Sequence, residues 1–403
     1  MNDKTQENQN NRQYVRVGTT LYKIVQRPLI SGDFVEEKIP WSYETLRQDF
    51  GKNNLPEIDK YDGFCIIPDH IHYKQVHGTF LNQYEPLNYK PAPGEFPYIR
   101  MFLNHIFREQ IELGLDYIQL LYTKPTQILP ILLLVSKESN TGKTTFLRFL
   151  KMIFGKNSTF NNNEDFRSQF NADWANRLLI LVDELLINKI EDTEKIKNLA
   201  TAIDYKMEAK GKDRKEIEFF AKFVLCSNKE HNPIIISREE IRFWIRKVHT
   251  IEKDDVYLKE KMAKEIPYFL HFLLHRELST KDQSRMWFSP AAIETPALRK
   301  VKRYNVNKVE IELATYCYDV MDGLALDKMW FCPKDLTEVI REAGLRADIG
   351  LVRNILKDNW GLSSHNNSEY SFYYIDPNGE IAPVKRKGRY MEITMSQINK
   401  ILL

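Results

Sequence analysis

The sequence has few cysteines, and the four it has (Cys65, Cys226, Cys317, Cys332) never fall in a paired C-x-x-C spacing. That argues against a zinc site and against a disulfide framework, and fits a reducing compartment. Long apolar runs are also missing. The longest, residues 128–135, is far short of the roughly 20 residues needed to span a bilayer. Neither sign of charge dominates: the formal balance is +3, with 43% hydrophobic and 28% charged residues, as in an ordinary soluble globular chain. A balance so near zero does not by itself point to nucleic acid, so the position of the basic residues matters more than their number. The first dozen residues are rich in Asn and Gln and contain no apolar stretch. They read as a disordered lead-in over 1–13, neither signal peptide nor membrane anchor. A cytoplasmic protein without membrane contact is the expectation, in a bacterium or an infected host cell.

There is no internal repeat and no low-complexity linker, so domain limits must come from changes of pattern. At 403 residues the chain has room for two or three domains. Residues 14–94 read as an accessory domain. It opens with a hairpin about Gly18, continues through 41–92 without a clean period, and closes on a Pro- and Gly-rich breaker over 88–96. Residues 95–127 read as a helical subdomain. Apolar positions recur at helical spacing through Ile99, Phe102, Leu103, Ile106 and Phe107, then Ile111, Leu115, Ile118 and Leu121, with Gly114 as the expected interruption. From 128 to 300 short Leu-, Ile- and Val-rich runs alternate with longer polar or helical segments, the pattern of an α/β domain with a mostly parallel sheet. Residues 301–403 form a separate small unit.

The chemistry starts at the first of these strands. Residues 128–135 run into a polar turn, Ser136 to Thr145, which holds Ser139, Asn140, Thr141, Gly142, Lys143, Thr144 and Thr145, and a helix follows. Such a turn aims backbone N–H groups at phosphate oxygens, and the helix dipole adds to them. Lys143 would reach the β- and γ-phosphates of ATP and the Thr144 hydroxyl would hold Mg²⁺. The phosphate-loop pattern asks for glycine six residues before the lysine, where this chain has Lys137. A second apolar strand, 178–182, ends in Asp183-Glu184. Adjacent carboxylates at the end of a buried strand are costly unless they meet a cation. Asp183 suits an outer-sphere Mg²⁺ ligand, and Glu184 the group that orients and deprotonates an attacking water. A third strand, 223–226, ends in Ser227-Asn228, where the Asn228 amide could touch both the γ-phosphate and the water. Arg242 precedes an alternating strand and suits a finger on a neighbouring subunit's phosphate, with Arg238 and Arg246 as nearby alternatives. Between the second and third strands lie Lys206, Lys210, Lys212, Arg214 and Lys215, around a turn at 210–213. The ordinary reading of such a run is a solvated charged face; a basic hairpin there would neutralise nucleic-acid phosphates without regard to sequence.

In this order and spacing, the four elements over residues 95–250 resemble the superfamily-3 helicases, and most closely the helicase part of phage and plasmid primase–helicases, related to the poxvirus primase-helicase. The resemblance implies an AAA+-like P-loop fold and a ring, usually a hexamer. It also implies ATP-driven movement along single-stranded DNA through a central pore. It carries Lys143 and Thr144 to the Walker A role, Asp183 and Glu184 to Walker B, Asn228 to the sensor, Arg242 to the finger and the 206–215 hairpin to the pore. No primase signature is evident in residues 1–95, so priming would fall to a separate protein.

Within 301–403 three helices and two strands, 370–375 and 388–393, resemble a winged-helix domain with Lys385, Arg386 and Lys387 in the loop between the strands. Arg353 and Lys357 on the third helix would join that loop on duplex DNA; a protein-docking or purely structural wing is the equal alternative. His271 and His275 lack the glutamate of a metalloprotease helix, and Asp69-His70-Ile71-His72 reads as a polar turn. Two other functions compete with the motor: an initiator whose ring melts an origin, and a non-catalytic nucleotide-responsive DNA-binding regulator.

Overall fold

The computed structural model describes residues 13–30, 34–166, 168, 171–187, 189–208, 213–251, 255–305, 308–345, 347–375 and 380–402. The chain divides into two compact units, residues 1–301 and 302–403.

The first unit begins with β1 (Tyr14–Val17), β2 (Thr20–Pro28), β3 (Phe34–Trp41), α1 (Tyr43–Phe50), β4 (Asp59–Tyr61), β5 (Gly63–Cys65), β6 (Val76–His77) and β7 (Phe80–Asn82). β1 and β2 form the expected hairpin, with Val17 opposite Thr20 and Gly18 at the turn. They sit in a four-stranded sheet of order β3-β2-β1-β4, beside a small sheet of order β5-β7-β6. Residues 41–92 show no period because their strands are two or three residues long, too short for alternation to register. Asp69 accepts bonds from the Ile71 and His72 backbone, which makes the 69–72 segment a turn. His70 points inward, its ring nitrogens on the Tyr84 hydroxyl at 2.6 Å and the Tyr122 carbonyl at 2.8 Å.

Two helices follow, α2 (Pro97–Phe107) and α3 (Ile111–Thr123), joined by a single 3₁₀ turn. The interruption falls at Arg108, whose φ is +43°, and not at Gly114. Gly114 lies inside α3 because a Cβ there would stand 2.4 Å from the Phe107 ring; the glycine lets the two helices close on each other.

The centre of the unit comprises β8 (Ile131–Val135), α4 (Lys143–Phe154), β9 (Ser158–Asn161), β10 (Leu179–Val182), α5 (Ile190–Leu199), β11 (Asp204–Met207), β12 (Lys215–Glu218), β13 (Lys222–Ser227), β14 (Phe243–Lys247), α6 (Leu258–His275) and α7 (Pro296–Tyr304). Five strands form one sheet of order β14-β8-β13-β10-β9, parallel throughout. Every residue of β8 and β10 is buried, as a sheet covered on both faces requires. On one face Leu132 and Leu134 pack with Phe146, Phe149 and residues of α2, α3 and α6. On the other Ile131, Leu133 and Val135 pack with Trp174, Ile180 and Phe223. No helix among the described residues is long and apolar enough to cross a membrane.

At the start of β13, away from the strand ends that carry the candidate site, Lys222 is 3% exposed. Its ammonium donates to the Pro125 and Phe220 carbonyls, and burial pushes its pKa down to about 7. The unfolded lysine titrates near ~10.4, so between about 7 and ~10 it binds a proton that the folded one does not, and folding stability rises with pH through that window. Below about 7 the full cost of the buried charge is present. We expect the difference in unfolding free energy between Lys222→Met and the parent to change by up to ~1.4 kcal/mol per pH unit over pH 7–9. Denaturant titrations at pH 7, 8 and 9 would measure it; parallel profiles would show that the lysine stays charged.

The second unit holds α8 (Lys308–Gly323), β15 (Lys328–Phe331), α9 (Pro333–Glu342), α10 (Ile349–Asn354), β16 (Ser364–Ile375), β17 (Ile381–Thr394) and α11 (Met395–Leu402). Its sheet has three strands, in the order β15-β17-β16, where the sequence shows two. β15 is short and follows α8 too closely to stand out. Its Met329 and Phe331 join Leu313, Cys317, Leu336, Val352 and Ile393 in the core. Lys385, Arg386 and Lys387 do not sit in a loop. They belong to β17, opposite Ser371, Tyr370 and Glu369, because pairing continues to Ile375↔Ile381 and moves the turn past them. Lys385, Lys387 and Arg389 are exposed, as are Arg353 and Lys357.

Candidate functional site

β8 delivers the chain at Val135 to a loop over 136–142, and α4 begins at Lys143. Ser136 ties the loop's start to β13 through its N–H on the Ser227 carbonyl, 3.2 Å. Two residues take left-handed backbone, Asn140 at φ +53° and Gly142 at φ +87°. Asn tolerates that region. At Gly142 a Cβ would also meet Phe102 at 3.1 Å and Ile251 at 3.4 Å, so the loop can lie against α2 only with glycine there. His105 on α2 holds the Thr141 carbonyl at 3.0 Å, and Ile251 donates its N–H to the Asn140 carbonyl at 3.0 Å. Neither clamp has a signature in the sequence. Lys137 stands where the loop pattern has glycine. It is exposed and is absent from the positive-φ residues, so its side chain is accommodated without strain.

Lys143 is only 6% exposed, and its ammonium donates to Thr141 Oγ1 at 3.1 Å. Burial lowers its pKa, while Cys226, Asp183 and Glu138 act in the opposite direction. Thr144 Oγ1 donates to Asp183 Oδ2 at 2.7 Å, joining the first turn of α4 to the end of β10. Ser139 is exposed on the loop and Thr145 half-buried in the helix. Glu184 follows Asp183 with φ +56° and an exposed side chain. The next peptide folds onto β13: Leu185 N–H donates to the Cys226 carbonyl at 2.6 Å, and Ser227 Oγ to the Leu185 carbonyl at 2.6 Å. This brace turns Glu184 out of the core. Asn228 follows β13 and is exposed.

Thus Lys143, Thr144, Asp183, Glu184 and Asn228 gather at the carboxyl ends of β8, β10 and β13. The strands of Lys143 and Asp183 are not neighbours, as their succession in the sequence suggests. β13 lies between them, which sets Asn228 between loop and carboxylates. A helix N-terminus, a buried lysine and a hydroxyl bonded to a carboxylate are groups that could hold a polyphosphate and its divalent cation.

Arg242 is not part of this gathering. It immediately precedes β14, and its carbonyl accepts from Ile131 N–H at the start of β8, which puts it at the far end of the sheet. Its guanidinium lies 3.5 Å from Glu240, itself buried and paired with Lys197 at 2.8 Å. Arg246 is no alternative finger. It is 4% exposed and bonds Glu109, Gln110 and the Phe107 carbonyl, pinning the α2–α3 junction to β14. Arg238 is half-buried.

β11 and β12 form an antiparallel hairpin between β10 and β13 in the chain. Tyr205, Met207 and Ile217 pack toward the core. The outer face carries Asp204, Lys206, Glu216 and Glu218, with Lys206 directly opposite Glu216. Arg214 is paired with Glu208 at 2.6 Å; Lys215 is exposed; Lys210 and Lys212 lie outside the described residues. The described strands are therefore acidic on balance, with Asp204, Glu216 and Glu218 against Lys206 and Lys215. Among the described residues no cluster of His, Cys, Asp and Glu could by itself hold a metal ion. The His271 and His275 rings lie side by side in a tilted contact, 4.2 Å between centroids and 31° between planes.

A family of unknown function (DUF5906) matches residues 134–242, a segment that runs from the end of β8 to Arg242. No curated protein sequence matches significantly. Among solved structures, the apo A form of the NrS-1 C-terminal region (305–718) aligns with a TM-score of 0.65 at 14% identity, over 96% of this chain and 97% of that one. A second apo structure of the same region gives 0.60 at 14% identity, over 89% and 86%. The two chains share a fold over nearly their whole length. The JCV helicase aligns over 58% of this chain with a TM-score of 0.28 at 13% identity, below the level of a common fold.

Proposed function

We propose that the protein is a P-loop ATPase of the superfamily-3 helicase type, which couples ATP hydrolysis in a ring to movement along single-stranded DNA during replication of a phage or plasmid-like element. The observation that carries this reading is the 2.7 Å bond from Thr144 to Asp183 beside the buried Lys143. A phosphate-loop hydroxyl and a strand-end carboxylate in contact supply two oxygens where Mg²⁺ on ATP would need them. The parallel sheet, with β13 between the loop strand and the carboxylate strand, is the AAA+-like core, and residues 302–403 the winged-helix-like unit.

In this mechanism the loop N–H groups and Lys143 bind and neutralise the β- and γ-phosphates. Bound Mg²⁺, held by Thr144 and Asp183, would offset charge on the transferring phosphoryl group. Glu184, turned outward by the brace on β13, takes the proton of the attacking water, and Asn228 orients that water from the intervening strand. Arg242, too far from its own loop, serves the site of the next subunit. A single strand would pass the turn ends of the 204–218 hairpins, and Arg353, Lys357, Lys385 and Lys387 would meet duplex phosphates.

Strand displacement on forked substrates of both polarities, with and without ATP, tests the reading. Unwinding that requires ATP on one polarity is expected; no DNA-stimulated hydrolysis and no displacement would overturn it. The hairpin has its own signature. Each phosphate contact contributes about 0.7 to the slope of log K against log[salt] on a single strand. Lys215→Gln should reduce that slope by about this much. Arg214→Gln should reduce it by less, since Glu208 already neutralises Arg214. Equal slopes for Lys215→Gln and the parent would remove the hairpin from the DNA path.

A further inference from the structure

A cavity of about 350 Å³ lies on the β14 side of the sheet, lined by residues of the α2–α3 junction, β14, the segment after β13 and α7. None of the loop residues 136–145 lines it. Four cations surround it, Arg108, Arg246, Lys247 and Lys300, against two carboxylates, Glu109 and Glu230. Both carboxylates are already engaged. Glu230, 5% exposed, takes Lys247 at 3.1 Å and Lys300 at 3.0 Å. Glu109 takes Arg246 at 2.6 Å. The cavity therefore keeps an excess of positive charge.

Two further observations point to an anion. Arg246 is 4% exposed, yet its Nε has no hydrogen-bond partner, a buried charged donor that is costly to leave unmet. In addition, the nine-residue helix α7 starts at the cavity wall, where Thr295 caps it by accepting from Leu298 N–H at 3.0 Å. That end presents the positive pole of the helix dipole to the cavity. Arg108, exposed and held at φ +43° by the helix junction, supplies a planar fork of donors at the same wall.

We propose that this cavity is a second phosphate-binding site, separate from the loop at Lys143, which takes a phosphate-bearing small molecule. A phosphate group suits it because several acceptor oxygens on one atom can engage guanidinium and ammonium donors at once. Glu230 lies two residues beyond Asn228 and shares Lys247 and Lys300 with the incoming anion. Occupancy would loosen that carboxylate's ties beside the strand end that carries Asn228. The site stands whether or not the loop at Lys143 binds ATP.

Calorimetric titration of the full chain with pyrophosphate at constant ionic strength tests it. In Lys143→Ala, where the loop's main phosphate contact is gone, one equivalent should still bind. Adding Arg108→Gln or Lys300→Gln to that chain should weaken binding at least about tenfold, the loss expected for one charge-assisted contact. Arg108 is exposed, so its substitution should leave the melting temperature unchanged and separate lost binding from lost folding. No binding to Lys143→Ala, or unchanged affinity on adding Arg108→Gln, would overturn the proposal. Displacement of the pyrophosphate by a single-stranded oligonucleotide would assign the site to a nucleic-acid backbone and overturn the small-molecule reading. ATP binding by Lys143→Ala is scored separately and reports only on the loop.

Discussion

Glu184→Gln should lower DNA-stimulated ATP turnover by about 10²–10⁴ while nucleotide binding persists, the loss expected when a positioned general base is removed. The substitution keeps length and shape and removes only the proton acceptor. Glu184 is exposed and bonds through its backbone N–H to Asp183 at 3.1 Å, so neither the fold nor the Thr144–Asp183 contact depends on its carboxylate. Binding of a fluorescent nucleotide and steady-state phosphate release, measured on the same preparation, separate the two effects. Unchanged turnover would remove Glu184 from the reaction and with it the hydrolytic reading of this site.

Arg242→Ala should cost about 10³–10⁵ in turnover if the residue acts as a finger on a neighbouring subunit. The location of Arg242 gives this prediction a sharper form. β14 and β8 run in parallel register from Phe243↔Ile131 to Lys247↔Val135, and five strand residues span about 16 Å. A side chain at the start of β14 cannot reach phosphates bound at the end of β8 in the same chain. Arg242→Ala and Glu184→Gln should therefore each be inactive alone and regain activity when mixed. In a head-to-tail ring about a quarter of the interfaces would then join an intact Glu184 to an intact Arg242. No recovery on mixing, with ring formation verified by light scattering, would place the essential arginine elsewhere.

The parts of the molecule that could be read from the chain share one physical trait: their signal is local. The loop around Lys143 is contiguous, and so is the passage from apolar strand to Asp183-Glu184. The β1–β2 hairpin announces itself by alternation about Gly18, and the β11–β12 hairpin by the turn sequence at 210–213. What could not be read was set by distant partners. Helices α2 and α3 break at Arg108 rather than at Gly114, because Gly114 is reserved for the Phe107 ring. Arg246 looks like any arginine beside a strand, but Glu109 and Gln110, far away in sequence, bury it. Lys385 to Lys387 look like a loop cluster until strand pairing carries the turn beyond them. Lys206 and Arg214 look cationic until Glu216 and Glu208 are seen across the hairpin.

The sequence by itself determined which groups the chain offers at its strand ends, because a polar turn holding Gly142 and Lys143, a hydroxyl and paired carboxylates are properties of short segments and residue types. Only the tertiary structure decided which of them meet. Strand order is not encoded in any one segment: it follows from how five buried strands and their covering helices pack. That packing inserted β13 between β8 and β10, brought Thr144 to 2.7 Å from Asp183, and sent Arg242 to the opposite end of the sheet.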